Sequence, residues 1–75
     1  MELNEFIKNF AYQFDDTDES EFTAETAYHQ LDEWSSMVGM SIMNMVEKNY
    51  GVKLTFADLK NAKTIKDLYD TIVGK

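Results

Sequence analysis

One apolar-periodic segment, opening at Ser35-Ser36 and closing at Gly51, constrains this chain more than any other feature. Val38, Ile42, Met45, Val46 and Tyr50, with Met43 at the margin, recur at helical spacing on one side. About residues 36 to 50 are therefore expected to form a helix that must bury one face. Gly51 suits the position that ends such a helix. The chain has only 75 residues, and a chain of that size buries roughly 60% of its unfolded surface. The remaining residues must supply the cover for this central helix.

Leu3, Phe6, Ile7, Phe10 and Phe14 fall within an arc of about 100° on a helical wheel, which predicts an amphipathic first helix over about residues 2 to 14. Residues 15–21, Asp-Asp-Thr-Asp-Glu-Ser-Glu, interrupt that pattern with repelling charge and begin a loop that extends to about Ser35. Loops this long are uncommon in compact domains unless something packs them; Phe22, Tyr28, Leu31 and Trp34 are the candidate anchors. After Gly51, Val52 and Leu54 alternate in an extended link. Thr55-Phe56-Ala57-Asp58 then reads as a capping-box variant that opens a short helix near 56 to 61. Thr64-Ile65-Lys66-Asp67 repeats the device and starts a last helix, with Ile65, Leu68, Tyr69, Ile72 and Val73 on one face and Gly74 at its end. The expected fold class is all-α: one domain over residues 1–75, a four-helix bundle of three main helices and one short one, with a long first loop.

Charge and composition exclude several functions. With no cysteine and a single histidine, His29, the chain has neither a disulfide framework nor the ligands for a zinc centre. Glu2 and Glu5 precede any basic residue, and no apolar run approaches the roughly 20 residues needed to span a bilayer. A soluble, unprocessed, cytoplasmic chain without a membrane span is expected. The net charge of -7 is unevenly spread, because residues 1–33 hold ten carboxylates against Lys8, whereas residues 34–75 hold four against six lysines. An acidic surface without arginine repels phosphate backbones and cannot read bases by bidentate contact, so no nucleic-acid partner is expected. Basic protein surfaces are the natural complement. The acids of residues 15–21 suggest calcium, but an EF-hand loop counted from Asp16 places Glu21 where glycine is needed and Ala27 where glutamate is needed. A solvated acidic loop and no metal site are expected. His29 lies four residues after Glu25 without a neighbouring nucleophile and reads as a loop residue with no catalytic role.

The chemistry-bearing candidate is the serine at the start of the central helix. Glu33-Trp34-Ser35-Ser36-Met37 resembles the Trp-Asp-Ser-Leu signature of acyl carrier proteins, with Ser36 as the attachment serine, Met37 at the leucine position and Ser35 replacing the aspartate. The resemblance extends over almost the whole chain. Glu25-Thr26-Ala27-Tyr28-His29-Gln30-Leu31 is similar to the family's loop pattern, Tyr50-Gly51-Val52-Lys53-Leu54 to its aromatic-Gly link, and Thr64-Ile65-Lys66-Asp67-Leu68 to the start of its last helix. It implies a carrier, not an enzyme, that holds acyl or aminoacyl groups as thioesters on a 4′-phosphopantetheine arm attached to Ser36. It further implies a phosphopantetheinyl transferase and acyl-loading and acyl-processing enzymes as partners of a monomer.

On the wheel, Met37 and Met40 lie about 140° or more from Ile42, beside Asn44 and Glu47, and should face outward. Flexible thioethers suit a surface that accommodates several partners. Met37, Met40, Asn44 and Glu47 are thus candidate partner contacts, and Asp32 and Glu33 candidate attractors of basic rims. The central helix carries one acid, Glu47, where the family often carries several. Two other readings compete: an unmodified interaction module that keeps the carrier fold, favoured by Ser35, and an acidic domain responsive to divalent ions, favoured by residues 15–21.

Overall fold

The structure, a computed structural model, describes residues 2–75. Four α-helices occur among them: α1 (Leu3–Ala11), α2 (Ser36–Tyr50), α3 (Phe56–Asn61) and α4 (Ile65–Val73). Two single 3-10 turns, Glu19–Glu21 and Tyr28–Gln30, lie in the long connection between α1 and α2. The helix α1 packs on α2 and α4, and α3 packs on α4. This is the all-α, acyl-carrier-like bundle that the periodicity and the resemblance predict.

The helix ends follow local chemistry. Thr55 and Thr64 each accept a backbone N–H three residues on, while Asp58 and Asp67 return the favour to the threonine N–H, so both capping boxes are complete. Gly51 adopts φ 68°, the left-handed conformation, and its N–H closes α2 on the Glu47 carbonyl at 3.0 Å. The first helix is shorter than the expected 2 to 14. Beyond Ala11 the hydrogen bonds tighten to i−3, from Gln13 to Phe10 and from Phe14 to Ala11. That tighter turn still brings Phe14 into the core, which is why the apolar pattern outran the helix.

Phe6, Phe10, Tyr28, Ile42, Val46, Ile65, Leu68 and Ile72 are essentially inaccessible and form the centre of the core. Each such side chain contributes about 1.5–3 kcal/mol relative to leaving it exposed. One expected core residue is not there: Val73 is 59% exposed, because it stands at the edge of the apolar face of α4, about 100° round the helix from the buried Ile72.

The long connection is held by its anchors. Phe22 and Tyr28 are buried, Leu31 and Trp34 half-buried, and the rings of Phe10, Phe14, Phe22, Tyr28 and Trp34 form one cluster with neighbouring centroids 4.9 to 6.5 Å apart. Backbone hydrogen bonds from Ile65 to the Thr26 carbonyl and from Lys66 to the Ala24 carbonyl tie the loop to the start of α4. The Tyr28 hydroxyl donates to the carbonyls of Leu59 and Ala62 at the end of α3. Loop, α3 and α4 are therefore joined by hydrogen bonds and packing into one unit.

Candidate functional site

The two serines at the start of α2 have different environments. Ser35 is extended (φ -157°, ψ 170°), and its Oγ accepts the Val38 N–H at 3.3 Å, which makes it the N-cap. Ser36 is the first helical residue, is exposed, and has no hydrogen bond to its hydroxyl among the described residues. At a helix start the first backbone N–H groups lack intrahelical partners and concentrate partial positive charge. An oxygen ester of phosphate on Ser36 would sit in that field. An accessible, unengaged hydroxyl beside an anion-favouring helix end is the donor set that a phosphodiester-linked arm requires, so the residues present fit such a group.

Met37, Met40, Asn44 and Glu47 come together as the sequence predicts. With Ser41, Met43, Lys53, Leu54 and Phe56 they line an open, mainly apolar groove of about 550 Å3 between α2 and the start of α3. Met37 is 79% and Met40 58% exposed, although both are large apolar side chains. Glu47 and Lys53 bring one charge of each sign to this groove.

Asp32 and Glu33 are not part of that groove. They line a separate depression with Leu31 and residues of the acidic loop. Glu33 is occupied internally: its carboxylate accepts from the Asp15 N–H at 2.7 Å, the Asp16 N–H at 3.0 Å and the Thr17 hydroxyl at 2.6 Å. The Thr17 hydroxyl foremost, with those backbone donors, holds the Glu33 carboxyl below the usual glutamate range. Glu33 thus fastens the turn after α1 to the approach to α2. Asp18 accepts from the Ser20 N–H, which lowers its pKa in the same way. No group of three or more His, Cys, Asp or Glu side chains that could hold a metal ion occurs among the described residues. No helix among them is long and apolar enough to cross a membrane.

His29 has a structural role that its sequence context does not disclose. Its Nε2 lies 2.9 Å from the Leu59 carbonyl and 3.2 Å from the Ala62 carbonyl, and since carbonyls only accept, that nitrogen carries the proton. A second hollow, about 250 Å3 and almost wholly apolar, opens beside Ser36. Trp34, Gly39, Phe56 and Leu59 wall it, and His29 and Lys60 also line it. Gly39, Phe56, Leu59 and Lys60 line this hollow without having been singled out as site residues by the sequence. A signal existed for two of them: Gly39 stands one turn after Ser36 inside a helix, and Phe56 is a large aromatic at the first position of a short helix.

The family model for the phosphopantetheine attachment site matches residues 13–72. No curated protein and no solved structure matches the chain. Members of the matched family carry 4′-phosphopantetheine covalently. Such carrier domains interact with modifying and processing enzymes.

Proposed function

This chain belongs to the phosphopantetheine attachment-site family, and from that premise we propose that Ser36 bears the arm and that the chain shuttles acyl or aminoacyl groups between biosynthetic enzymes. The observation that carries this reading is the division of labour between adjacent serines. Ser35 is spent on capping α2, and Ser36 presents a free hydroxyl one residue later. An aspartate at position 35 would cap equally well, so the replacement preserves the helix start.

Loading needs little from the chain. The Ser36 hydroxyl gives up its proton and forms the new O–P bond as the pyrophosphate bond of coenzyme A breaks, and the adenosine bisphosphate half leaves. The chain's share is to expose that oxygen, and the start of α2 favours the anionic ester. When bound, the arm supplies a terminal thiol that carries the acyl group as a thioester. Met37, Met40 and Asn44 provide a docking face beside it, and Glu47 and Lys53 give polar registration there. The chain delegates bond making in the cargo to its partners.

Incubation with coenzyme A and a permissive phosphopantetheinyl transferase should add one phosphopantetheine to the intact mass. Peptide mapping should place it on Ser36, and Ser36→Ala should abolish it. Labelling that survives Ser36→Ala but not Ser35→Ala would move the site by one residue. A wild-type chain that no transferase modifies would instead be the unmodified interaction module that Ser35 favours.

A further inference from the structure

Four of the five methionines lie in α2, at positions 37, 40, 43 and 45, and the fold sorts them by environment. Met45 is 7% exposed and belongs to the core, Met43 is half-buried against it, and Met37 and Met40 are 79% and 58% exposed. The outer two stand one turn apart on one face, directly after Ser36, and both line the groove that Leu54 and Phe56 also wall. An apolar wall does not call for sulfur. Leucine matches methionine in helix propensity and nearly in volume, so leucine at either position would keep both helix and groove. What methionine adds is a flexible thioether that a two-electron oxidant converts to a polar sulfoxide. The chain has no cysteine, so before the arm is attached no thiol competes for that oxidant.

We propose that Met37 and Met40 form a reversible oxidation site that switches partner docking off without unfolding the chain. The inference rests on the reading of the groove as a docking face. The co-reactant is a hydroperoxide. A lone pair of the thioether sulfur attacks one peroxide oxygen, the S–O bond forms as the O–O bond breaks, and the proton on the transferred oxygen passes to the departing one. From hydrogen peroxide the leaving group is therefore water; sulfur loses two electrons and the peroxide gains them. That attack needs open access to sulfur, which Met37 and Met40 offer and Met45 does not. A partner surface shaped to a thioether provides no donor for the new oxygen, and burying that oxygen unpaired opposes docking. The core stays as it was, because its methionine is shielded. Two reductases, one for each sulfur epimer, return a sulfoxide to the thioether, and the exposure that admits the oxidant also admits them.

Apo protein would be treated with dilute hydrogen peroxide and freed of it by catalase and desalting. Intact mass, peptide mapping, circular dichroism and the rate of loading from coenzyme A by a phosphopantetheinyl transferase would then be measured. Met37 and Met40 should each gain one oxygen before Met43 and Met45; Met1, which lies outside the described residues, is scored separately in the map. With those two oxygens added, the helical signal and the urea midpoint should hold, and loading should slow by about tenfold, the scale set by burying one unpaired polar group. The two reductases should restore both mass and rate. The double variant Met37→Leu/Met40→Leu should keep its own untreated rate after peroxide, and if it is misfolded, each single variant should lose less of its rate than the wild type does. Oxidation of Met45 as fast as Met37, a fall in rate only where the helical signal is lost, or an equal fall in the leucine variants would overturn the switch. A loading rate unchanged by the two oxygens would also overturn it; the docking reading then stands if Met37→Glu and Met40→Glu still slow loading, and falls too if they do not. A wild-type chain that gains no arm before oxidation removes the attachment reading and this inference together.

Discussion

The Tyr28 hydroxyl and the His29 Nε2 share the same two acceptors: Tyr28 lies 2.6 and 3.0 Å from the carbonyls of Leu59 and Ala62, and His29 lies 2.9 and 3.2 Å from them. Two adjacent residues of one 3-10 turn thereby hold the end of α3 from the long loop. Burial first, then the negative charge of Asp67, pushes the Tyr28 pKa up, so its hydroxyl stays a donor throughout the neutral range. The Tyr28 ring also lies 4.9 Å from Trp34, so the latch that fixes α3 also supports the wall beside Ser36.

Because each donor backs up the other, single removal should be tolerated better than double. Tyr28→Phe should cost about 1 kcal/mol, the usual net worth of one hydrogen bond, and His29→Ala a comparable amount or less. The double variant should lose more than the sum, since only then are the carbonyls left without either side-chain donor. Urea denaturation of the four proteins checks this. Strict additivity would mean that the two donors act independently.

Ser35→Ala should separate capping from attachment. Loss of an N-cap costs about 0.5–2 kcal/mol, and the long 3.3 Å contact to Val38 places this one at the lower end. The variant should denature at lower urea yet still gain the mass of one phosphopantetheine.

Partner recognition should depend more on the apolar groove than on its charge. Met37→Glu and Met40→Glu should leave stability within about 0.5 kcal/mol, as exposed substitutions do, and should slow loading by the cognate transferase or acyl-loading enzyme. Glu47→Gln should have the smaller effect, visible mainly at low salt. A loading rate that collapses with Glu47→Gln and survives both methionine changes would reverse that order.

Glu33 should make the long loop sensitive to acid. Its pKa is depressed in the folded chain, so its contribution is fully present above the unfolded value of about 4.3 and is lost as pH falls through the lower folded value. Asp18 and Asp58, depressed by the Ser20 and Thr55 backbone donors, act in the same direction. Denaturation midpoints should therefore fall as pH drops below about 4.3. Glu33→Gln should be less stable at neutral pH and show a shallower decline in acid. Amide exchange at Asp15 and Asp16 should be faster in that variant at neutral pH.

Much of the architecture is local and was legible. Helical periodicity and the closing Gly51 predicted α2 over about residues 36 to 50, as observed, and the Thr55/Asp58 and Thr64/Asp67 pairs marked two helix starts by chemistry confined to four consecutive positions. The outward turn of Met37 and Met40 followed from the same wheel that buried Ile42 and Val46. The end of α1 was less legible, because Phe14 is buried whether its turn is α or 3-10 and periodicity cannot distinguish the two.

By itself, the sequence determined which segments are helical, which faces they bury, and that a serine stands at the mouth of the central helix; each follows from spacing and capping within a few residues. Only the tertiary structure decided that Ser35 makes the cap contact while Ser36 remains unengaged, that Glu33 turns to the Asp15–Thr17 backbone and hydroxyl, that His29 joins Tyr28 on α3, and that Gly39 opens a cleft against Leu59 and Trp34. Most of these depend on partners 16 to 34 positions apart in the chain, such as Thr17 with Glu33 and Tyr28 with Ala62. Pairings over such distances are set by how the packed helices bring the loop back, which no local pattern encodes.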